Sequence, residues 1–125
     1  MKEFPTATRQ LEYVAVFNVE FRTQQGPAFA FFAVDAYSKY VFNLSADPDD
    51  KPETVLRKIY FLMEDPMFEK HIKKGFTLVF AKYQELEDRI NKIIAPVNGK
   101  VMFDELFCKY LSLDLMNSLS KSLGK

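Results

Sequence analysis

The sequence has no tryptophan, one cysteine, one histidine and four glycines among its 125 residues. With Cys108 alone, an internal disulfide is excluded, and a reducing compartment fits. His71 and Cys108 leave a Cys/His metal centre without further ligands, and no glycine-rich phosphate loop is present. A Cys–His nucleophilic pair has only these two residues to draw on. Cys108, one turn into an apolar helical segment, reads as a buried structural thiol. Neither sign of charge is in excess: 17 basic and 17 acidic residues give +0. A protein that grips nucleic acid mainly through phosphates carries a basic surplus, so autonomous DNA binding finds little support in composition. The densest basic cluster, Lys70, His71, Lys73 and Lys74, reads as the solvated end of a helix. No apolar stretch reaches the roughly 20 residues of a membrane span. The first ten residues, MKEFPTATRQ, lack the apolar core of a secretory signal. The expectation is a cytoplasmic protein without a membrane partner.

What is abundant is apolar and aromatic. Hydrophobic residues make up 48%, with thirteen Phe and six Tyr, enough for a packed core. The length fits one domain, expected over residues 12–125 after a leader of residues 1–11. EYVAVFNVEF (12–21) and AFAFFAVDA (28–36) read as strands, separated by the turn RTQQGP, where Pro27 should end pairing. KYVFNLS (39–45) reads as a third. Asp50 and Glu53 have capping-box spacing before a helix that carries Val55, Ile59 and Leu62 on one face. Pro66 interrupts it, and MFEKHIKK adds a short piece ending at Gly75. FTLVFA (76–81) reads as a strand. Tyr83, Leu86, Ile90, Ile93 and Ile94 then recur at helical spacing, and KVMFD (100–104) is a fifth strand. Asp104 is the expected N-cap of a last helix with Leu111, Leu115, Leu119 and Leu123 along its buried stripe.

The order β-β-β-α-β-α-β-α makes a mixed five-stranded sheet with helices on both faces. It is also the order of the RNase H-like fold. Within it, FAVDAYSKYVFNL closely resembles the second and third strands of retroviral-type integrases and related transposases, which a VD.(F/Y)S(R/K) turn joins. VFNVEF resembles the first strand of that family. Its members hold two metal ions with two aspartates and a glutamate, and use them to polarise a phosphate and activate water or a 3′-hydroxyl. The resemblance places those three positions at Asn18, Ala81 (in FAKY, after strand four) and Asn117 (in NSLSKSLGK), with 35 residues between the last two, the family's customary interval. All three are uncharged, so the resemblance implies a degenerate site without Mg²⁺ or Mn²⁺, a pseudoenzyme. Replacement ligands could come from Glu20, on the strand face of Asn18, and Asp114, on the helix face of Asn117; both positions also suit plain solvated carboxylates. Asp35 is expected to bond the turn at Tyr37-Ser38.

Three functions follow as expectations. The first is a non-catalytic integrase-core-like domain that associates with proteins, as a homodimer or with a related integrase or transposase chain, with a regulatory version of it resting on analogy alone. The second is a nuclease or polynucleotidyl transferase of the DNA-integration type with displaced carboxylates, and only this one calls for Mg²⁺ or Mn²⁺. The third is a DNA-binding remnant. The aromatic crowding of Phe29, Phe31, Phe32, Tyr37, Tyr40 and Phe42 leaves two outcomes open: both sheet faces are covered, or one keeps a bare patch for self-association.

Overall fold

The computed structural model describes residues 7–123, except the side chains of 71, 72 and 116–123. The elements are β1 (Tyr13–Thr23), β2 (Gly26–Asp35), β3 (Val41–Asp47), α1 (Pro52–Met63), α2 (Pro66–His71), β4 (Phe76–Phe80), α3 (Glu87–Ile94), β5 (Gly99–Phe103) and α4 (Glu105–Leu123). The sheet order is β3-β2-β1-β4-β5. The β1–β2 and β2–β3 pairs are antiparallel, whereas β1–β4 and β4–β5 are parallel. The mixed sheet and its order of elements are those the sequence implies.

Strand alternation divides the core into two layers. Val14, Val16, Phe31, Ala33, Phe42, Leu78 and Phe80 point to one face, where α1, α2 and α3 supply Ile59, Leu62, Phe68, Ile90 and Ile94. Ala15, Phe17, Val34 and Val79 point to the other, which Phe107, Cys108 and Leu111 of α4 cover. On α4, Leu115 is partly buried as expected; the side chains of Leu119 and Leu123 lie outside the described residues.

Asp35 ties the ends of the meander together. Its carboxylate accepts from the backbone N–H of Leu11 at 3.0 Å, of Tyr37 at 3.2 Å and of Ser38 at 3.3 Å, and from Ser38 Oγ at 2.6 Å. The expected turn is therefore present, and it runs longer than the sequence suggested: Lys39 has φ 65°, and pairing resumes only at Val41. A bulge follows, since Ala30 faces Ala46 while Phe32 faces Asn43. The extra residue leaves Ser45 at φ 68°, held by its N–H donating to Asn43 Oδ1 at 2.9 Å.

Four local expectations are corrected. Pro27 does not end pairing, because it faces Arg22 at the start of β2, before β3 joins at Phe29. The Asp50–Glu53 capping box does not form. Lys51 stands at the N-cap of α1 without a side-chain cap, and Asp49 takes the capping work, accepting from Lys51 N–H at 3.0 Å and Thr54 Oγ1 at 2.6 Å. Tyr83 precedes its helix: it sits at φ 78° before a short 3₁₀ turn, and α3 begins at Glu87. The third strand starts two residues later than KYVFNLS implies. The N-cap at Asp104 is as expected, with Oδ1 accepting from Phe107 N–H at 3.0 Å.

Candidate functional site

Where β4 ends beside the middle of β1 and the first turns of α4, the surface opens into a cavity of about 500 Å³. Its walls are Phe17, Asn18 and Val19 from β1, Ala81 just past β4, and Glu105, Cys108, Lys109 and Ser112 from α4. Asn18 and Ala81, the positions to which the resemblance assigns two carboxylates, both line this cavity. Asn117 belongs to α4 by its backbone, five residues or about 7.5 Å along the axis beyond Ser112; its side chain lies outside the described residues.

The side chains at this place do not converge. Alternation sends Val14 and Val16 toward the α1/α3 layer and Ala15 and Phe17 toward α4. Asn18 follows Val16: its Nδ2 donates to Tyr83 Oη at 2.7 Å, and Tyr83 Oη donates to Asp50 Oδ2 at 3.0 Å. Ala81 packs with the α4 layer. The β1 side chain on the same face as Ala81 is Phe17, an aromatic ring in van der Waals contact with the α4 cluster.

The Asn18–Tyr83–Asp50 chain locks the middle of β1 to the loop after β4 and to the entry of α1. Burial pushes the Tyr83 phenol well above its ordinary range; the hydrogen bond from Asn18 opposes this, and the Asp50 carboxylate adds to it. On the other face, burial pushes the Cys108 thiol up to about 12, with Asp104 adding to the rise. Its Sγ donates to the Val79 carbonyl at 3.2 Å. A protonated, hydrogen-bonded thiol is inert as a nucleophile. α2, whose Phe68 packs on the face opposite α4, carries His71 by its backbone; the His71 side chain lies outside the described residues.

Glu20 and Asp114 are both exposed. Glu20 continues the parity of Val16 and Asn18, whereas Asp114 rides on the helix that covers the other face, so the structure does not bring the two together. Among the described residues, no group of three His, Cys, Asp or Glu side chains is placed to hold a metal. Two divalent ions need several hard, anionic oxygen ligands. The cavity offers one carboxylate, Glu105, with the cationic Lys109 beside it. Such a donor set does not fit a pair of magnesium ions.

No protein-family model matches this chain, and no curated protein matches it significantly. Solved structures do. A chain in the cryo-EM structure of the simian T-cell lymphotropic virus intasome in complex with PP2A regulatory subunit B56 gamma superposes with a TM-score of 0.71 at 8% identity. That match covers 97% of the present chain and 42% of the other. The HTLV-2 integrase catalytic core domain with magnesium matches in its dimeric form with a TM-score of 0.58 at 11% identity, covering 93% of this chain and 71% of that one. Its trimeric form matches with a TM-score of 0.56 at 10% identity, over 94% and 76%. The fold is similar to that of the retroviral integrase catalytic core. At these identities the likeness concerns the fold, and the magnesium belongs to those proteins.

Sequence reasoning missed the place of Phe17 in the cavity wall and the roles of Tyr83 and Asp50 in the chain from Asn18. β1 reads VAVF, apolar at every position, and so shows no alternation from which to choose a face. Tyr83 looked like the first apolar position of a helix, and nothing local marks its left-handed backbone.

Proposed function

We propose that this is a non-catalytic integrase-core-like domain that works by binding protein, either a second copy of itself or a related integrase or transposase chain. The observation that carries the reading is the donor set of the cavity between β1, β4 and α4: Phe17, Asn18, Ala81 and Lys109 line it beside a single carboxylate, Glu105, too few anionic oxygens for two divalent ions. The dimeric and trimeric forms of the HTLV-2 core, and the partner subunit bound in the simian virus assembly, support association as a use of this fold. The proposal needs no cofactor. It includes a cytoplasmic setting, in keeping with a lone free thiol; among the described residues no helix is long and apolar enough to cross a membrane.

Thermal melting with millimolar Mg²⁺ or Mn²⁺, alongside a DNA-cleavage assay, tests the reading. A ligand bound to the folded state raises the melting temperature by mass action. The expected result is no shift and no cleavage. A rise together with metal-dependent cleavage, lost in Glu20→Gln or Asp114→Asn, would establish the displaced-carboxylate enzyme instead. A salt-sensitive gel shift without cleavage would support the DNA-binding remnant.

A further inference from the structure

The last helix is apolar on two sides. Phe107, Cys108 and Leu111 face the sheet, while Leu106, Tyr110 and Leu113 face outward at 50%, 54% and 53% exposure. Spacings of four and three residues align these three into one stripe. A surface helix normally presents polar residues there. Lys39 Nζ lies over the Tyr110 ring at 5.5 Å from its centroid, and Tyr37, at the tip of the β2–β3 turn, is 55% exposed.

We infer that the outer face of α4 is an interface with a second copy of this chain, paired parallel and in register. This rests on the association reading above and names its surface. The charges beside the stripe select the occupant. At 100° per residue, Lys109 flanks the stripe on one side and Asp114 on the other, and both are exposed. Leu106 and Leu113 take the d positions of a heptad, Tyr110 an a position, Lys109 g and Asp114 e. In a parallel pair, g of one helix faces the following e of its partner, so Lys109 of each copy meets Asp114 of the other, twice by symmetry. An antiparallel pair would set each flank against itself, lysine on lysine and aspartate on aspartate. The chain therefore carries both halves of the charge match needed by its own copy. Leucine at d suits two strands.

Sedimentation equilibrium of the whole chain over a concentration series tests this, with melting curves to show that each variant folds. Leu113→Asp is expected to raise the dimer Kd by at least about tenfold, as for a central apolar anchor. Lys109→Glu or Asp114→Lys alone should weaken the dimer about fivefold, from two exposed pairs lost. The double exchange, Lys109→Glu with Asp114→Lys, should restore it. A dimer indifferent to all four variants would overturn the α4 interface and leave the association reading intact. Single exchanges that weaken the dimer without rescue in the double would overturn the parallel register. A wild-type chain that stays monomeric throughout would overturn the interface and the homodimer form of the proposed function together.

Discussion

Lys58 is an ammonium inside the core. Its side chain is 2% exposed and forms an ion pair with Asp47, which also binds Arg57 at 3.2 Å and is itself 22% exposed. Ser45 Oγ stands 3.1 Å from Nζ, and the rings of Phe31 and Phe61 lie 5.2 and 5.8 Å from it. The bulge in β3 is what turns Ser45 and Asp47 toward α1. Removing one partner of a buried pair strands the other charge, at about 3–5 kcal/mol where no water reaches it. Asp47 is partly wet and Ser45 remains, so Asp47→Ala should cost less than that, about 2–3 kcal/mol. Lys58→Met keeps the stem packed on Phe31, removes the desolvated ammonium and leaves Asp47 with Arg57 and water. It should lie within about 1 kcal/mol of the parent. The double variant should resemble Lys58→Met alone, giving a coupling of about 2 kcal/mol. Urea unfolding followed by far-UV circular dichroism measures all four proteins. If Lys58→Met destabilises as much as Asp47→Ala, the pair is a net contributor and the reasoning fails.

Three further outcomes are expected. Cys108 has a folded pKa of about 12 against an ordinary 9.0, so its protonated thiol supports the fold fully below about pH 9 and that contribution drains away as pH rises toward 12; unfolding free energy should fall over this window and Cys108→Ala should flatten the fall, while alkylation of the native thiol at pH 8 should be no faster than opening. At Gly99 an added methyl would lie 2.5 Å from Phe76 Cζ and 2.7 Å from Ile94 Cβ, both in a closed core, so Gly99→Ala should cost about 1–3 kcal/mol by denaturant titration. Asp35→Ala leaves the buried Leu11 N–H and two turn N–H groups without their acceptor, at about 1–3 kcal/mol for each truly buried one; it should lower the melting temperature strongly, and Asp35→Asn, which keeps one carbonyl oxygen, should recover part of the loss.

Much of the architecture was legible because its elements are punctuated. Gly26, Pro52, Pro66, Gly75 and Asp104 mark boundaries with their own backbone chemistry, and the helices between them carry clean 3.6-residue periodicity. The Asp35 turn was legible for the same reason: an aspartate two and three residues ahead of free N–H groups bonds them. Reading failed where two neighbours competed for one task. Asp49 and Asp50 can each cap α1, and only the position of Tyr83, 33 residues on, decides that Asp50 turns away to its hydroxyl. Reading was also blind to which way β1 faces. In a strand buried on both sides, VAVFN offers Phe17 and Asn18 equally, and the choice is made by what packs above and below.

That choice of face bears on the proposed degeneracy of the site. If three point changes had silenced an otherwise intact site, Asn18→Asp, Ala81→Asp and Asn117→Glu together would bring metal binding back. The geometry argues otherwise. An aspartate at 18 would point into the α1/α3 layer, where the single Tyr83 hydroxyl proton already goes to Asp50, and two carboxylates would then share one donor. An aspartate at 81 would look across at Phe17 and toward Lys109, on the far side of the sheet from its supposed partner. The triple variant should therefore melt lower than the parent and still show no stabilisation by Mg²⁺. Phe17→Asp with Ala81→Asp, beside the existing Glu105, is the set that places carboxylates on one face, and it alone should gain a metal-dependent rise in melting temperature. A rise in the triple variant, absent in the Phe17 set, would show that β1 turns its other face to the cavity and that the first-strand residue facing Ala81 is Asn18 after all.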